Sequence, residues 1–257
     1  MMRVASLGSG SKGNATLIQV GSETYLVDCG FGLKEVESRL QARGLHPGDI
    51  NGIFVTHEHG DHIKGTPMLA NKYGIPLYAS FGTARHLKRD VPTLAKFLPN
   101  HKLSIGLAEV EPVTVPHDSA EPTQFVFRHQ GLSVGILTDL GSLTRRVQDA
   151  FSQCQLLMLE CNHDPIMLSQ GPYPPNLKRR VGGNFGHLSN EQAAQMLEMM
   201  NRSRLSHVLV SHISEQNNDP NLAMDTILPK LDGYSTATEV LTQDEGCDWI
   251  TIRYHAS

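Results

Sequence analysis

Apolar residues along the chain occur in short runs, and many of these runs end in a cluster of polar residues. Short runs rich in β-branched and aromatic residues predict strands, whereas apolar residues three and four apart predict helices. The predicted strands are residues 3–10, 15–20, 23–28, 53–56, 76–79, 109–116, 125–128, 132–138, 156–159, 208–210, 238–241 and 249–252. The predicted helices are residues 33–43, 64–73, 83–89, 143–151, 189–200 and 223–231. This alternation indicates an α/β fold.

Two stretches have no predicted helix or strand. Residues 94–106 show no clear periodicity, and residues 165–186, which hold several prolines, are predicted to be a loop. The loop carries the basic triplet Lys178, Arg179 and Arg180. Such a triplet can follow a nucleic-acid backbone, but it is more often only a solvated face.

The densest polar cluster directly follows the predicted strand at residues 53–56, in the segment His57-Glu-His59-Gly-Asp61-His62. Each of these ionisable groups would need its own partner if it were buried. Imidazole and carboxylate together suit zinc, manganese or iron. His57 and His59 project to one side of an extended segment, whereas Asp61 and His62 follow a turn. Ligands that face two directions favour two metal ions over one. Glu58 points away from both histidines and is therefore not included among the ligands.

The two halves of the chain show the same order of features. Each has a strand, an Asp-x-Gly segment, an amphipathic helix, an apolar strand and then a polar cluster; the segments are Asp28-Cys-Gly30 and Asp139-Leu-Gly141. We therefore predict a single domain over residues 1–257, made of two related halves at approximately 1–120 and 121–257. The polar clusters of both halves would meet across a shared cleft.

Composition limits the possible functions. The 257 residues are 39% apolar, which is enough for a folded core. The formal net charge of -4 shows no excess of basic residues that would indicate nucleic-acid binding. Bound divalent cations would reverse the local field, so a phosphodiester substrate stays possible. No stretch resembles a membrane span or a signal segment, and we expect a cytoplasmic protein with no membrane partner. Cys29, Cys154, Cys161 and Cys247 have no CxxC spacing and are expected to be reduced thiols.

The loop between the first two predicted strands is a possible anion site. Its residues Ser9, Ser11, Lys12 and Asn14 are interleaved with glycines, and such loops expose backbone N–H groups. A plain hairpin turn explains the same pattern equally well.

The His57-x-His59-x-Asp61-His62 segment, followed in order by a lone His117, Asp139 and His212, resembles the metallo-β-lactamase superfamily. This resemblance implies an αβ/βα sandwich of two mixed β-sheets flanked by helices, with a dinuclear metal site at the sheet edges. One metal ion would be held by His57, His59 and His117, the other by Asp61, His62 and His212, with Asp139 bridging them. Asp28 would support the histidine segment through hydrogen bonds.

Two residues of the second half suggest the substrate class. In phosphodiesterase branches of the superfamily, such as tRNase Z, a histidine at the place of His187 protonates the leaving oxygen and is oriented by a glutamate. Glu160 is similar to that glutamate. Asp139 stands where many β-lactamases carry cysteine, which argues against an antibiotic hydrolase. Alternatively, His187 merely flanks the start of a helix.

Residues 6–14, 160–164, 171–174, 186–190 and 211–214 resemble the YycJ/WalJ/VicX branch, with Cys161 in place of the usual serine. The branch implies a 5′-to-3′ DNA exonuclease that uses two divalent ions (Zn, Mn or Fe) to activate the attacking water. The catalytic residues would be Asp61, Glu160 and His187, and DNA ends would contact Ser9, Ser11, Lys12, Asn14 and His187. Three further residues, His163, Asp164 and Asn217, also fit the branch. We expect each of them to form a hydrogen bond that stabilises a loop.

Two rival functions stay open. One is a small-molecule hydrolase of the same superfamily, such as a thioesterase, a lactonase or a cyclic phosphodiesterase. The other is a scaffold that keeps metal only for folding, although seven ligands are more than a purely structural site usually needs.

Overall fold

Two seven-stranded β-sheets form the centre of the molecule in the computed structural model, which describes residues 1–253. The strands are β1 (Met2–Gly8), β2 (Ala15–Val20), β3 (Glu23–Val27), β4 (Ile50–Phe54), β5 (Leu77–Ser80), β6 (Leu94–Phe97), β7 (Leu103–Ile105), β8 (Ala108–Thr114), β9 (Thr123–His129), β10 (Leu132–Leu137), β11 (Leu156–Glu160), β12 (His207–Ser211), β13 (Ala237–Val240) and β14 (Cys247–Ile252). The helices are α1 (Leu33–Ala42), α2 (Gly60–Ile63), α3 (Thr66–Tyr73), α4 (Phe81–Ala84), α5 (Arg145–Phe151), α6 (Pro165–Gln170), α7 (Pro175–Val181), α8 (Asn190–Met199) and α9 (Pro220–Ile227).

The strand order brings the ends of several strands to one edge of each sheet. The first sheet has the order β14-β1-β2-β3-β4-β5-β6, and the second has the order β13-β12-β11-β10-β9-β8-β7. Strands β3 and β4 are parallel, as are β10, β11 and β12. Strand β8 runs in the same direction as β10, because both are antiparallel to β9. The chain crosses from the first sheet to the second between β6 and β7, before residue 120, and β14 returns to pair with β1.

The space between the sheets is filled by apolar side chains that alternate along the strands. Phe54 of the first sheet packs edge-on against Phe125 and Phe127 of the second, with ring centroids 5.5 Å and 5.2 Å away. The neighbours Ile53 and Val55 point to the opposite face of the sheet, where helices cover them. The end of β4 is buried on both faces, and residues 53–55 form a continuous apolar run shortly before the histidine segment.

Helices cover the outer face of each sheet. Helices α1 and α3 pack on the first sheet, whereas α5, α8 and α9 pack on the second. The resulting order of layers is helix, sheet, sheet, helix. The predicted αβ/βα sandwich is therefore confirmed.

The predicted loop at residues 165–186 is wrong, because this stretch contains α6 and α7. Pro165 and Pro175 occupy the first position of these helices, where the missing N–H would have had no partner in any case. The prolines begin the helices instead of breaking them. Asp164 caps α6 by accepting a hydrogen bond from the N–H of Met167 at 2.7 Å.

Two other predictions differ from the structure. The helix predicted at residues 83–89 lies instead at α4, because Ser80 caps it earlier by accepting a hydrogen bond from the N–H of Thr83. Residues 94–106, which had no assignment, contain β6 and β7. These strands have four and three residues, too few to show alternation.

The four cysteines are free and buried. Across residues 1–253, no helix is long and apolar enough to cross a membrane.

Candidate metal centre and active site

The polar clusters predicted at strand ends come together where the edges of the two sheets meet. His57 follows β4, His117 follows β8, Asp139 follows β10 and His212 follows β12, while Glu160 is the last residue of β11. All five residues are buried. Within residues 1–253, their ligand atoms, with those of His187 and of the neighbouring histidine segment, form four overlapping groups, and the atoms of each group lie within 4.8 Å of one another.

The first group consists of His57, His59 and His117. The His57 Nε2 and His117 Nε2 atoms lie 3.0 Å and 3.2 Å from Nδ1 of His59. Nδ1 of His117 donates to the backbone carbonyl of Gly186 at 2.9 Å, so its Nε2 carries the lone pair. Three imidazole nitrogens therefore converge on one point, as a metal site with nitrogen ligands requires.

The second group consists of Asp61, His62 and His212. The Asp61 Oδ2 atom lies 3.3 Å from His62 Nε2 and 3.5 Å from His212 Nε2. Each histidine presents its other ring nitrogen to a buried carboxylate: His62 Nδ1 lies 2.8 Å from Asp28 Oδ2, and His212 Nδ1 lies 3.0 Å from Glu160 Oε1. Such carboxylate partners fix the ring so that Nε2 can bind a cation.

Asp139 lies between the two groups. Its Oδ2 atom is 3.1 Å from His62 Nε2, and its Oδ1 atom is 4.0 Å from His117 Nε2. Within residues 1–253, neither Asp139 Oδ2 nor His212 Nε2 has a hydrogen-bond partner of acceptable geometry, although both atoms are buried. Buried polar atoms without partners are rare, and bound cations would satisfy both. The residues present therefore fit a site for divalent metal ions.

The electrostatics differ between the two groups of histidines. Burial lowers the pKa of His57 well below its usual value, and it also lowers the pKa of His117. Burial opposes charge on His62 as well, but the surrounding carboxylates, Asp139 first, raise its pKa well above the usual value. The same balance raises the pKa of His212 to about 10. His57 and His117 thus offer neutral imidazoles, whereas protons on His62 and His212 offset the charge of nearby carboxylates, as a bound cation would.

The backbone adopts an uncommon conformation at three of these strand ends. Asp28, Asp139 and His212 have φ angles of 61°, 50° and 53°, in the left-handed region that non-glycine residues seldom enter. Such conformations cost energy and cluster at functional sites. Here they turn the side chains from the strand direction toward the shared centre.

The two Asp-x-Gly segments have corresponding roles in the two halves. A Cβ atom on Gly30 would lie 1.8 Å from the carbonyl oxygen of Asp61, and one on Gly141 would lie 2.4 Å from the backbone nitrogen of Gly186. Each glycine therefore lets a ligand-bearing or catalytic loop pack against the strand end. Asp28 also binds the N–H and hydroxyl of Thr56, both at 2.8 Å, which fixes the residue before His57.

The loop at residues 9–14 packs against the second group. Ser9 Oγ accepts a hydrogen bond from the N–H of His212 at 3.0 Å, and Asn14 Nδ2 lies 3.2 Å from His62 Nε2. Ser9 and Asn14 are buried, whereas Ser11 and Lys12 are exposed. Lys12 forms an exposed ion pair with Glu215 at 2.6 Å.

Glu160 joins the metal centre to His187. Its Oε1 atom lies 2.8 Å from His187 Nδ1 as well as 3.0 Å from His212 Nδ1, and its Oε2 atom accepts from the N–H groups of Leu140 and Leu188. Burial disfavours charge on Glu160, but the charge of His187 and the hydrogen bonds to His187 and His212 lower its pKa to about 2. It is therefore a buried carboxylate that orients two imidazole rings at once.

A pocket of about 350 Å³ opens directly on this centre. Ser11, His59, Asp61, Asp139, His187 and His212 are among the residues that line it. The volume is in the range of ordinary small-molecule sites, and His187 keeps Nε2 as the ring nitrogen available to a substrate.

Sequence reasoning missed several residues that position the site. The missed ones are Thr56, the carbonyl of Gly186, and Asp118, which lies 3.6 Å from His117 Nε2. Thr56 and Asp118 adjoin predicted ligands in the chain, which was the only available signal. Glu58 lies outside the groups, with Oε1 accepting from the N–H of Ala120 at 2.6 Å.

His163, Asp164 and Asn217 stabilise loops. The carbonyl of His163 accepts from the N–H of Asn190, and the N–H of Asp164 donates to the carbonyl of Asn217. The side chain of Asn217 binds Ser214 Oγ at 3.4 Å.

Comparisons with known proteins agree with this geometry. Residues 23–213 match the family model described as the beta-lactamase superfamily domain. Over 222 residues the chain is 36% identical to the exodeoxyribonuclease YycJ of Bacillus anthracis, and the match covers 84% of each protein. Over 232 residues it is 33% identical to the exodeoxyribonuclease WalJ of Streptococcus pneumoniae, covering 88% of this chain and 86% of the relative.

A solved structure shows the same fold at low identity. The crystal structure of the metallo-β-lactamase fold protein YhfI from Bacillus subtilis matches with a TM-score of 0.74 at 16% identity, covering 98% of this chain and 100% of that one. The chain belongs to the metallo-β-lactamase superfamily, in the branch that includes YycJ and WalJ, and is a hydrolase of that superfamily.

Proposed function

We propose that this chain is a metal-dependent phosphodiesterase that removes nucleotides from DNA ends as a 5′-to-3′ exonuclease. The relatives named exodeoxyribonuclease support the substrate class, since they match this chain over more than four fifths of its length. The observation that carries the proposal is the contact between Glu160 and His187 beside the metal centre, with Nδ1 and Oε1 2.8 Å apart. Hydrolysis of a thioester or a lactone does not need such an acid.

In this proposal the centre would hold two divalent ions. His57, His59 and His117 would hold one ion and Asp61, His62 and His212 the other, and Asp139 would be available to both. When bound, the ions supply Lewis-acid activation of water and neutralise charge on the phosphate. The donor set of imidazoles and carboxylates suits Zn, Mn or Fe.

His187 is the proposed general acid. Glu160 accepts a hydrogen bond from Nδ1–H and orients the ring, so that Nε2 of the protonated ring can donate its proton to the leaving oxygen. The backbone N–H of His187 donates to the carbonyl of Val181 at 2.8 Å, which further fixes the residue. Positioned proton transfer of this kind contributes roughly 10²- to 10⁴-fold to a rate.

The residues proposed to contact DNA divide into two sets. Ser9 and Asn14 support the second group of ligands with hydrogen bonds, so their proposed contribution to substrate binding acts through the shape of the loop. Ser11 lines the pocket and Lys12 is exposed beside it. An exposed ion pair such as that of Lys12 contributes little to stability, so a DNA phosphate can replace Glu215 as its partner.

Digestion of end-labelled single- and double-stranded oligonucleotides in Mn²⁺ or Zn²⁺ tests the proposal. We expect stepwise loss of nucleotides from the 5′ end by the wild-type protein and no digestion by Asp61→Ala. Equal cleavage by both proteins would refute the assigned site.

A substrate panel separates the rival functions. The panel contains bis(p-nitrophenyl) phosphate, a thioester and a lactone, each assayed beside DNA. Hydrolysis of the thioester or the lactone alone would refute phosphodiester hydrolysis. A scaffold that uses metal only for folding predicts no turnover of any member of the panel.

A further inference from the structure

The residues that line the pocket beside the metal centre are of two chemically different kinds. Besides the ligands and His187, the lining includes Tyr173, which lies just before α7, and Leu177, Arg180 and Val181 of that helix, and we call these four residues the wall. The spacing of three and four residues puts the three helical side chains on one face. This wall combines an aromatic ring, two aliphatic side chains and one cation, and none of them is among the proposed metal ligands or acids.

Backbone contacts hold the wall at a fixed position relative to the catalytic histidine. The carbonyl of Val181 accepts from the N–H of His187, and a Cβ atom on Gly186 would lie only 2.1 Å from the carbonyl oxygen of Arg180. Helix α7 is also tied to α6, because the side chain of Lys178 donates through Nζ to the carbonyl of Ser169 at 2.6 Å. The distance from the wall to the reacting centre is therefore built into the fold.

Tyr173 presents an aromatic ring to this pocket. Its side chain is half-buried and, within residues 1–253, makes no hydrogen bond or ring contact. A tyrosine that is mainly structural usually packs its ring or binds its hydroxyl to a partner. Aromatic rings beside a nucleic-acid phosphate stack on bases, and such stacking tolerates any sequence because every base has a π-face.

Arg180 supplies the cation of the wall. Its Nε and Nη2 atoms pair with the carboxylate of Asp118, the residue after the proposed ligand His117. The remaining Nη1 atom has no hydrogen-bond partner in the part of the chain that the structure describes. A guanidinium held on one side by a carboxylate keeps donors free to bind a phosphate oxygen.

We propose that this wall is the subsite for the nucleotide next to the scissile phosphodiester, with Tyr173 stacked on its base and Arg180 bound to a phosphate oxygen. The subsite rests on the proposed hydrolysis of DNA, and it specifies which nucleotide of the substrate the protein binds. Recognition through a stacked base and a phosphate would be independent of sequence, as digestion from an end requires.

The role of Tyr173 is tested with two single-stranded oligonucleotides that differ only at their terminal nucleotides. One carries ordinary bases, and the other carries abasic tetrahydrofuran residues at both ends. We expect Tyr173→Leu to lower kcat/KM about tenfold on the ordinary oligonucleotide and to leave the abasic one unchanged. Tyr173→Phe keeps the ring and should retain wild-type values on both. Equal losses on the two substrates, or no loss on either, would overturn the stacking role.

The role of Arg180 is tested against its neighbour Arg179, which is exposed and binds Asn176 outside the pocket. We expect Arg180→Ala to lower kcat/KM on DNA about tenfold. The slope of log kcat/KM against log salt concentration should become shallower by about 0.7 to 0.9, the value of one lost phosphate contact. Arg179→Ala should change neither quantity. Equal effects of the two variants would contradict a specific phosphate contact.

The two proposals fail in different ways. If the wild-type protein cleaves neither oligonucleotide, the DNA hydrolase assignment is refuted together with the subsite. If the wild-type protein cleaves both oligonucleotides and Tyr173→Leu changes kcat/KM equally for the two, only the subsite is refuted. Unfolding temperatures of all variants, measured with metal bound, show whether any loss reflects folding.

Discussion

The Oε1 atom of Glu160 lies 2.8 Å from Nδ1 of His187, and the same oxygen lies 3.0 Å from Nδ1 of the proposed metal ligand His212. One buried carboxylate thus orients both the proposed general acid and a proposed ligand. The proton donor and the metal centre are therefore coupled through a single side chain, and separate substitutions can distinguish their contributions.

Replacing His187 by alanine removes the acid and leaves all seven proposed ligands in place. We expect kcat on DNA to fall by roughly 10²- to 10⁴-fold. Activity on bis(p-nitrophenyl) phosphate should change little, because nitrophenolate leaves without a proton. Steady-state kinetics on both substrates, with the exposed His101→Ala as a control, test this prediction. A similar loss on both substrates would contradict an acid role.

Replacing Glu160 by glutamine keeps the volume of the side chain but removes its charge. Because His212 loses its carboxylate partner, we expect metal affinity to fall by about 10- to 100-fold, together with a loss of activity on DNA. Isothermal titration with Zn²⁺ or Mn²⁺ measures the first effect, and Glu191→Gln, on the exposed side of α8, is the matched control. Unchanged metal affinity would show that Glu160 serves only His187.

Gly30 should tolerate no side chain. A Cβ atom there would lie 1.8 Å from the carbonyl oxygen of Asp61, so Gly30→Ala must displace the loop that carries two proposed ligands. Overpacking of this kind costs about 1–3 kcal/mol or more, and metal affinity should fall with stability. Gly32 has nothing within 4 Å of an added Cβ, so Gly32→Ala is the control for thermal unfolding with and without metal. Equal stability of the two variants would contradict the packing argument.

Bound metal should stabilise the folded chain, and the chain should bind two metal ions. A ligand at 1,000 times its Kd adds about 4 kcal/mol, which for a domain of this size raises Tm by roughly 8–16 °C over the value in chelator. Metal analysis of the wild-type protein should give two ions per chain, and His57→Ala and His212→Ala should each lose one. Binding of a single ion by the wild-type protein would refute the dinuclear arrangement.

Much of the site could be predicted from the sequence because its residues follow apolar strands. His57, Asp139 and His212 each come directly after such a strand, and parallel strands bring their ends to one edge. The order of these residues along the chain resembles that of the metallo-β-lactamase superfamily, and this resemblance predicted the rest of the proposed ligand set. The alternation of the same runs with helical segments predicted an α/β fold, whereas the αβ/βα sandwich was predicted from the resemblance to the superfamily.

Other features depend on tertiary contacts that leave no local pattern. The hydrogen bond between Ser9 Oγ and the N–H of His212 joins residues 203 positions apart, and nothing near either residue indicates the other. The helices α6 and α7 are not evident from the sequence because proline usually breaks a helix, whereas Pro165 and Pro175 each stand at a first helical position. The position of Tyr173 at the pocket depends on these helices and could not have been predicted without them.

The most direct test of the central claim is the digestion of a 5′-labelled and a 3′-labelled DNA strand by the wild-type protein, by Asp61→Ala and by His187→Ala, in saturating Mn²⁺. The account predicts that the wild-type protein releases 5′-terminal nucleotides stepwise, that Asp61→Ala is inactive, and that His187→Ala is slowed by at least about 100-fold while it keeps its metal. Undiminished digestion by either variant, or a metal-loaded wild-type protein that leaves both strands intact, would contradict it.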